Sequence, residues 1–102
     1  LEAAAESLKQ YAKTFAITDG AKGAITFDGN VLNRSKAVAV KAIDTNGAGD
    51  MFAGAFLYAI TSRRDYAWAA NLANDCASRV VVRFGPRLDK SDFDEIKSKF
   101  DI

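Results

Sequence analysis

Histidine is absent from this sequence of 102 residues, and cysteine, proline, methionine and tryptophan each occur once. Without histidine the chain has no Ser-His-Asp or Cys-His catalysis of its own and no imidazole metal ligand. Any general base must then be a carboxylate or an amine. A single cysteine, Cys76, permits neither an internal disulfide nor a Cys-x-x-Cys zinc or redox site. It falls in an apolar stripe and reads as a buried packing residue. No apolar run approaches the roughly 18 residues of a membrane span, and no signal-peptide pattern opens the chain, so a cytoplasmic setting and no membrane partner are expected. Fourteen basic residues against 13 acidic ones give a net charge of +1. That balance offers nothing to attract nucleic acid; the adjacent pair Arg63-Arg64 reads as a solvated helix end. There is no Gly-x-x-x-x-Gly-Lys-[Ser/Thr] loop, which disfavours a P-loop NTPase. The sequence lacks an initiating Met and opens inside a helical pattern, so a longer natural polypeptide is expected.

What is present is hydrophobic periodicity of two kinds. Residues 3–14 read as a helix, with Ala4, Leu8, Tyr11 and Phe15 at helical spacing. Phe15 to Asp19 and Ala24 to Asp28 are short strand candidates separated by the turn Gly20-Ala21-Lys22-Gly23. Asp28-Gly29-Asn30 is a hairpin turn signal. Val31 to Lys41 supplies one or two further edge strands, with Val38 and Val40 alternating. Residues 47–62 carry Met51, Phe52, Ala55, Phe56, Ala59 and Ile60 on one broad helical face. Asp65 caps the next helix, on which Trp68, Leu72, Cys76 and Val80 form a stripe; Gly85-Pro86 ends that helix or the short extension after it. Ser91-x-x-Asp94 resembles a capping box, followed by the apolar face Phe93, Ile96 and Phe100. The order is helix, two or three strands, then three helices. Three such helices carry more apolar surface than a small hairpin sheet can cover, and the missing partner is expected to be a parallel sheet in an absent N-terminal portion.

The segment with chemistry is Asp44-Thr45-Asn46-Gly47-Ala48-Gly49-Asp50. Gly47-Ala48-Gly49 stands where a loop becomes a helix and lets backbone approach a ligand closely. The first N–H groups of a helix lack intrahelical acceptors and lie at its positive end, which suits an anion such as phosphate. Asp50 falls in the first turn beside that anion. A carboxylate there is electrostatically unfavourable unless it has a task, and accepting the proton of an attacking hydroxyl is such a task. Gly-Ala-Gly is also ordinary loop composition and Asp an ordinary first-turn residue; the whole string is more specific than its parts.

That string resembles the second signature of the ribokinase-like (PfkB) carbohydrate and nucleoside kinases. Met51-Phe52-Ala53-Gly54-Ala55-Phe56-Leu57 is similar to the helix following that signature, and Thr18-Asp19-Gly20-Ala21-Lys22-Gly23 resembles the family's Thr-x-Gly-x-x-Gly turn. Ala70-Asn71-Leu72-Ala73-Asn74 and Arg83-Phe84-Gly85-Pro86 stand where the family closes its nucleotide pocket, and the latter run is similar to adenosine-kinase-like members. The resemblance implies an α/β fold, the C-terminal portion of a three-layer ribokinase-like domain, with residues 1–102 as its ATP-binding and catalytic portion. It implies Asp50 as catalytic base and Gly47, Ala48 and Gly49 as anion hole. Thr18, Gly20 and Gly23 would line the phosphate and ribose side of ATP, and Asn74 would lie near the adenine. Asp44 would help hold a monovalent cation, K+, with carbonyls near Val81 and Phe84 as co-ligands. Ligands for Mg2+ and most contacts to the sugar or nucleoside acceptor would lie outside this chain, so the chain alone is expected to be inactive. On the residues alone, Gly20 and Gly23 read equally as turn glycines, Asn74 as a polar position on a helix face, Asp44 as a loop cap and Lys22 as an exposed turn lysine. The competing expectation is a non-catalytic nucleotide-binding fragment that pairs with a second copy or with the missing N-terminal part through exposed apolar faces.

Overall fold

The computed structural model describes residues 1–39, 47–82 and 88–102. Helix α1 spans Glu2–Leu8, strands β1, β2 and β3 span Phe15–Thr18, Ala24–Phe27 and Leu32–Ser35, and helices α2, α3 and α4 span Ala48–Thr61, Tyr66–Val81 and Lys90–Phe100. A short 3-10 turn, Gly20–Lys22, joins β1 to β2. The three strands form an antiparallel meander in the order β1-β2-β3. Phe15 stands opposite Phe27, while Thr18, Ala24 and Ser35 form one cross-strand row. Residues in such a row share a face of the sheet.

Helix α3 is the hub, because it packs against α2, α4, β2 and β3. Its buried face is mostly small: Ala69, Ala70 and Ala73 are fully buried beside Leu72 and Cys76. Small side chains let α2 come close, and Phe52 and Phe56 of α2 fill the space together with Ala59. Burying each of these phenylalanines contributes about 2–3 kcal/mol. Phe56 meets Tyr66 edge-on at 5.3 Å between ring centres. Ala24 of β2 joins the same cluster, so the face carrying Thr18 and Ser35 is the one covered by the helices. Among the described residues, no helix is long and apolar enough to cross a membrane.

The hairpin signal at Asp28-Gly29-Asn30 is realised by the Asp28 carboxylate, which accepts from the Asn30 and Val31 N–H groups at 2.9 and 2.8 Å. Asp65 caps α3 by accepting from the Trp68 N–H at 2.8 Å. Two expectations need correction. Helix α1 ends at Leu8, not Thr14: the Gln10 and Tyr11 N–H groups turn back to Ser7 and Leu8, Ala4 and Tyr11 are exposed, and Ala5 is the buried residue. The reason is tertiary, since Phe15 must reach the sheet to pack on Phe27 at 5.4 Å. Among the described residues one strand follows the hairpin, within the one or two expected, and Val38 lies beyond it; Val40 is outside the described residues. The capping box of α4 is Asp89 with Asp92, not Ser91 with Asp94; the Ser91 hydroxyl donates to Asp89 and Asp94 pairs with Lys90. Starting the helix there leaves Phe93 half exposed while Ile96 is buried. Gly85-Pro86 falls outside the described residues, and α3 itself runs to Val81.

Candidate functional site

Helix α2 starts differently from its neighbours. Aspartate side chains cap α3 and α4, whereas α2 begins at Gly47, which has no side chain to offer and adopts the left-handed conformation at φ 82°. The first intrahelical bond runs from the Met51 N–H to the Gly47 carbonyl at 2.9 Å. The N–H groups of Ala48, Gly49 and Asp50 therefore precede the helical ladder. A Cβ on Gly49 would meet nothing within 4 Å, so no steric conflict in the fold demands glycine there.

Gly49 and Ala48 face a cavity of about 580 Å³. Its other walls come from the turn after β1, with Thr18, Gly20, Ala21 and Gly23, and from Ala37, Val38 and Ala39 after β3. Phe52 of α2 and Asn74, Ala77 and Ser78 of α3 close it. Thr18, Gly20, Gly23, Ala48, Gly49 and Asn74, drawn from three separate stretches of sequence, thus meet in one concavity. Cavities of this size with a mainly apolar lining and a few polar groups are typical of small-molecule sites. Gly47 and Asp50 line a second concavity, of about 510 Å³, with Met51, Gly54, Tyr58, Leu72, Phe93 and Ile96 among its walls. The helical period accounts for the division: positions 47, 50, 51 and 54 share one face, while 48, 49 and 52 turn to the other. The first turn of α2 is thus a ridge, with Ala48 and Gly49 lining one cavity and Gly47 and Asp50 the other. Asp44, Phe84 and their neighbours lie outside the described residues.

Ser35, bonded to Asn74 of the cavity wall, escaped the sequence reading. Ser35 is almost fully buried; its hydroxyl donates to Asn71 Oδ1 at 2.6 Å and accepts from Asn74 Nδ2 at 3.1 Å. The same Asn74 nitrogen donates to the Lys36 carbonyl at 3.1 Å. The available signal was the Asn71-x-x-Asn74 spacing, which places two amides on one helix face. On α3, Asp75 is held by Arg79 and Lys99. Burial raises the pKa of Asp75, but the hydrogen bonds and charges of Lys99 and Arg79 outweigh it and hold the carboxyl below the usual range. Burial, reinforced by Asp75, pushes the Cys76 thiol up to about 11.

The arrangement has close counterparts. A probable sugar kinase from Rhizobium etli CFN 42 shares the fold with a TM-score of 0.87 at 30% identity, over 96% of this chain and 30% of that one. The adenosine kinase of Sinorhizobium meliloti matches with a TM-score of 0.85 at 31% identity, again over 96% of this chain and 30% of its own. These neighbours have the ribokinase fold, and the α/β architecture here is a piece of it. Residues 1–92 match the pfkB family carbohydrate kinase model, and the chain belongs to that family. The ribokinase of Lactococcus lactis subsp. lactis (strain IL1403) is 33% identical over 94 residues, which is 92% of this chain and 31% of that protein. The chain thus spans about a third of the length of the relatives it matches.

Proposed function

We propose that this chain supplies the nucleotide-binding and catalytic portion of a cytoplasmic ATP-dependent phosphotransferase, one that moves the γ-phosphoryl group to a primary hydroxyl of a sugar or nucleoside. The observation that carries the reading is the ridge formed by the first turn of α2. Ala48 and Gly49, the latter with open space where a Cβ would stand, line one cavity, and Asp50 lines the other. Phosphoryl transfer requires this division, since the donor phosphate and the base must flank the attacking oxygen. ATP would occupy the cavity walled by Thr18, Gly20, Gly23 and Asn74. The N–H groups of Gly47, Ala48 and Gly49 would donate to the oxygens of the γ-phosphoryl group. Asp50 would accept the proton of the acceptor hydroxyl as its oxygen bonds to phosphorus and the bond to the bridging oxygen of ADP breaks. Mg2+, when bound, neutralises phosphate oxygens; its ligands would come largely from outside this chain. Asp44 would contribute to a K+ site that supports the anion-hole loop electrostatically.

The test uses a kinase of full family length that contains these 102 residues. Asp50→Asn should lower kcat by about a thousand-fold while the Kd for ATP changes little, the signature of a group acting in the transition state. Turnover within a few-fold of the parent would sink the base assignment. A second reading, favoured by the half-exposed Leu57, Tyr58, Phe93 and Ile102, is a non-catalytic fragment that binds nucleotide or pairs with another copy. Sedimentation of the chain with and without ADP distinguishes them: nucleotide-independent dimers that exclude ATP from the Gly49 cavity would favour the second.

A further inference from the structure

We infer that Asn74, Ser35 and Asn71 form a positioning clamp that sets the walls of the nucleotide cavity, and that the Asn74 amide nitrogen is committed to this clamp and not to the base. The inference rests on the nucleotide reading of that cavity. Three of its walls meet at the end of β3. The turn after β1 lies directly on this point: a Cβ on Gly23 would fall 2.1 Å from the Ser35 carbonyl oxygen and 2.8 Å from the Ala37 nitrogen. That turn is itself closed by the Asp19 N–H donating to the Gly23 carbonyl at 2.8 Å. The segment beneath it continues into Ala37, Val38 and Ala39, which line the cavity. What ties this point to α3 is the side-chain chain described above. Both donor bonds of the Asn74 amide nitrogen go to Ser35 Oγ and the Lys36 carbonyl, and the Ser35 proton goes to Asn71.

An amide nitrogen has two protons. With both directed at residues 35 and 36, that nitrogen has no proton left for a purine acceptor. Asn74 is 7% exposed and Ser35 3%, so the pair is shielded from water and its loss would leave buried groups unmatched. Helix α3 also carries Ala77 and Ser78 of the opposite wall. Fixing β3 to α3 therefore fixes the gap into which the base would slide.

The experiment compares Ser35→Ala, Asn74→Ala, the double variant and Asn71→Ala in a full-length kinase containing the chain. Asn71 is exposed, so its replacement tests the network without threatening the fold. The clamp predicts that Ser35→Ala and Asn74→Ala each raise the KM for ATP about five-fold, the scale of one ordinary hydrogen bond. The double variant should be no worse than either single, because partners of one network are not additive. Asn71→Ala should show about a two-fold rise. In all four, kcat and the ratio of kcat/KM for ATP to that for ITP and GTP should hold. A change in that ratio confined to Asn74→Ala, with Ser35→Ala silent, would overturn the clamp and return Asn74 to base reading. Thermal melts of the same four proteins provide the arm that needs no catalysis: independent, additive losses of Tm would also overturn it. Coupled Tm losses with no response of KM for ATP would leave a structural network and overturn its role at the nucleotide cavity. A parent enzyme that shows no saturable dependence on any nucleoside triphosphate would instead overturn the proposed function.

Discussion

At Gly49 and Gly23 the same residue type does opposite jobs. Gly49 has open space where a side chain would go, whereas a side chain on Gly23, at φ 98°, would collide with the Ser35 backbone. Gly23→Ala should therefore cost at least about 3 kcal/mol, from a backbone region only glycine tolerates plus the clash, read as a large drop in Tm. Gly49→Leu should leave Tm unchanged or slightly higher, because leucine is the better helix former by up to about 1 kcal/mol. It should nonetheless abolish measurable ATP binding by calorimetry in a full-length kinase containing the chain. Unimpaired ATP binding by that variant would remove the anion hole from the proposal. The sequence places Gly49 at a helix start and Gly23 in a turn; the collision a side chain on Gly23 would meet at Ser35 is a long-range contact, which no local pattern contains. Cys76 is another residue whose environment decides its chemistry. Burial, with help from Asp75, pushes its thiol up to about 11, so the nucleophilic thiolate is scarce at neutral pH. At pH 7.5 a maleimide should react with the native protein at least about 100-fold more slowly than with the protein in denaturant. Equal rates would place the thiol in solvent.

Helices α3 and α4 are joined by a charged cluster that the sequence does not announce. Arg79 Nε meets Asp75 at 2.7 Å, and its Nη1 reaches Asp92 at 3.3 Å and Glu95 at 2.7 Å, while Lys99 returns to Asp75. Those carboxylates, Glu95 foremost, hold the Arg79 guanidinium firmly protonated. The cluster also explains why the cap of α4 was misread. Asp89 and Ser91 are both competent caps by type, and the choice falls on Asp89 because Asp92, its capping-box partner, is docked on Arg79. The periodicities of α2 and α3 and the Asp28-Gly29-Asn30 turn were legible because each is a local pattern. The ends of α1, β3 and α4 were not, because packing of Phe15, the Ser35–Asn74 bonds and Arg79 set them. The cluster has a pH consequence. Asp75 binds its proton less readily in the folded chain than in the unfolded one, so the stability it confers is complete at neutral pH. It is lost as pH falls below the ordinary carboxylate range, from about pH 4 downward. Asp75→Asn should lower stability at pH 7 by about 2–4 kcal/mol, as expected when one partner of a buried ion network is removed. The variant's melting temperature should then decline less steeply than the parent's between pH 4 and pH 2. An unchanged acid limb would show that Asp75 is not the group responsible.

The molecule as a whole measures 40 × 27 × 18 Å, longer in one direction than a rounded domain. Its two concavities differ in kind. The Gly49 cavity is bordered by backbone turns and by Thr18, Asn74 and Ser78, whereas the concavity beside Asp50 is walled almost entirely by apolar side chains. Around the latter, Tyr58, Phe93 and Ile102 are each about half exposed (50%, 49% and 47%). A polyhydroxylated acceptor needs hydrogen-bond partners to replace water, and among the described residues that surface offers few beyond Asp50 and Lys97. Away from Asp50 it has the character of a packing face, so most polar contacts to the acceptor would come from outside this chain. The 102-residue chain by itself should thus bind ADP in the Gly49 cavity yet release no ADP from ATP above background with ribose or adenosine, in a coupled assay sensitive well below the roughly 1 s⁻¹ of a slow kinase. It should also enhance the fluorescence of an apolar-surface dye, and Tyr58→Lys with Phe93→Ser should suppress that signal without loss of helical circular dichroism. Acceptor-dependent turnover by the chain alone would mean that the face beside Asp50 binds a sugar or nucleoside after all. Absence of dye binding in a folded monomer would mean that the apolar face is already covered.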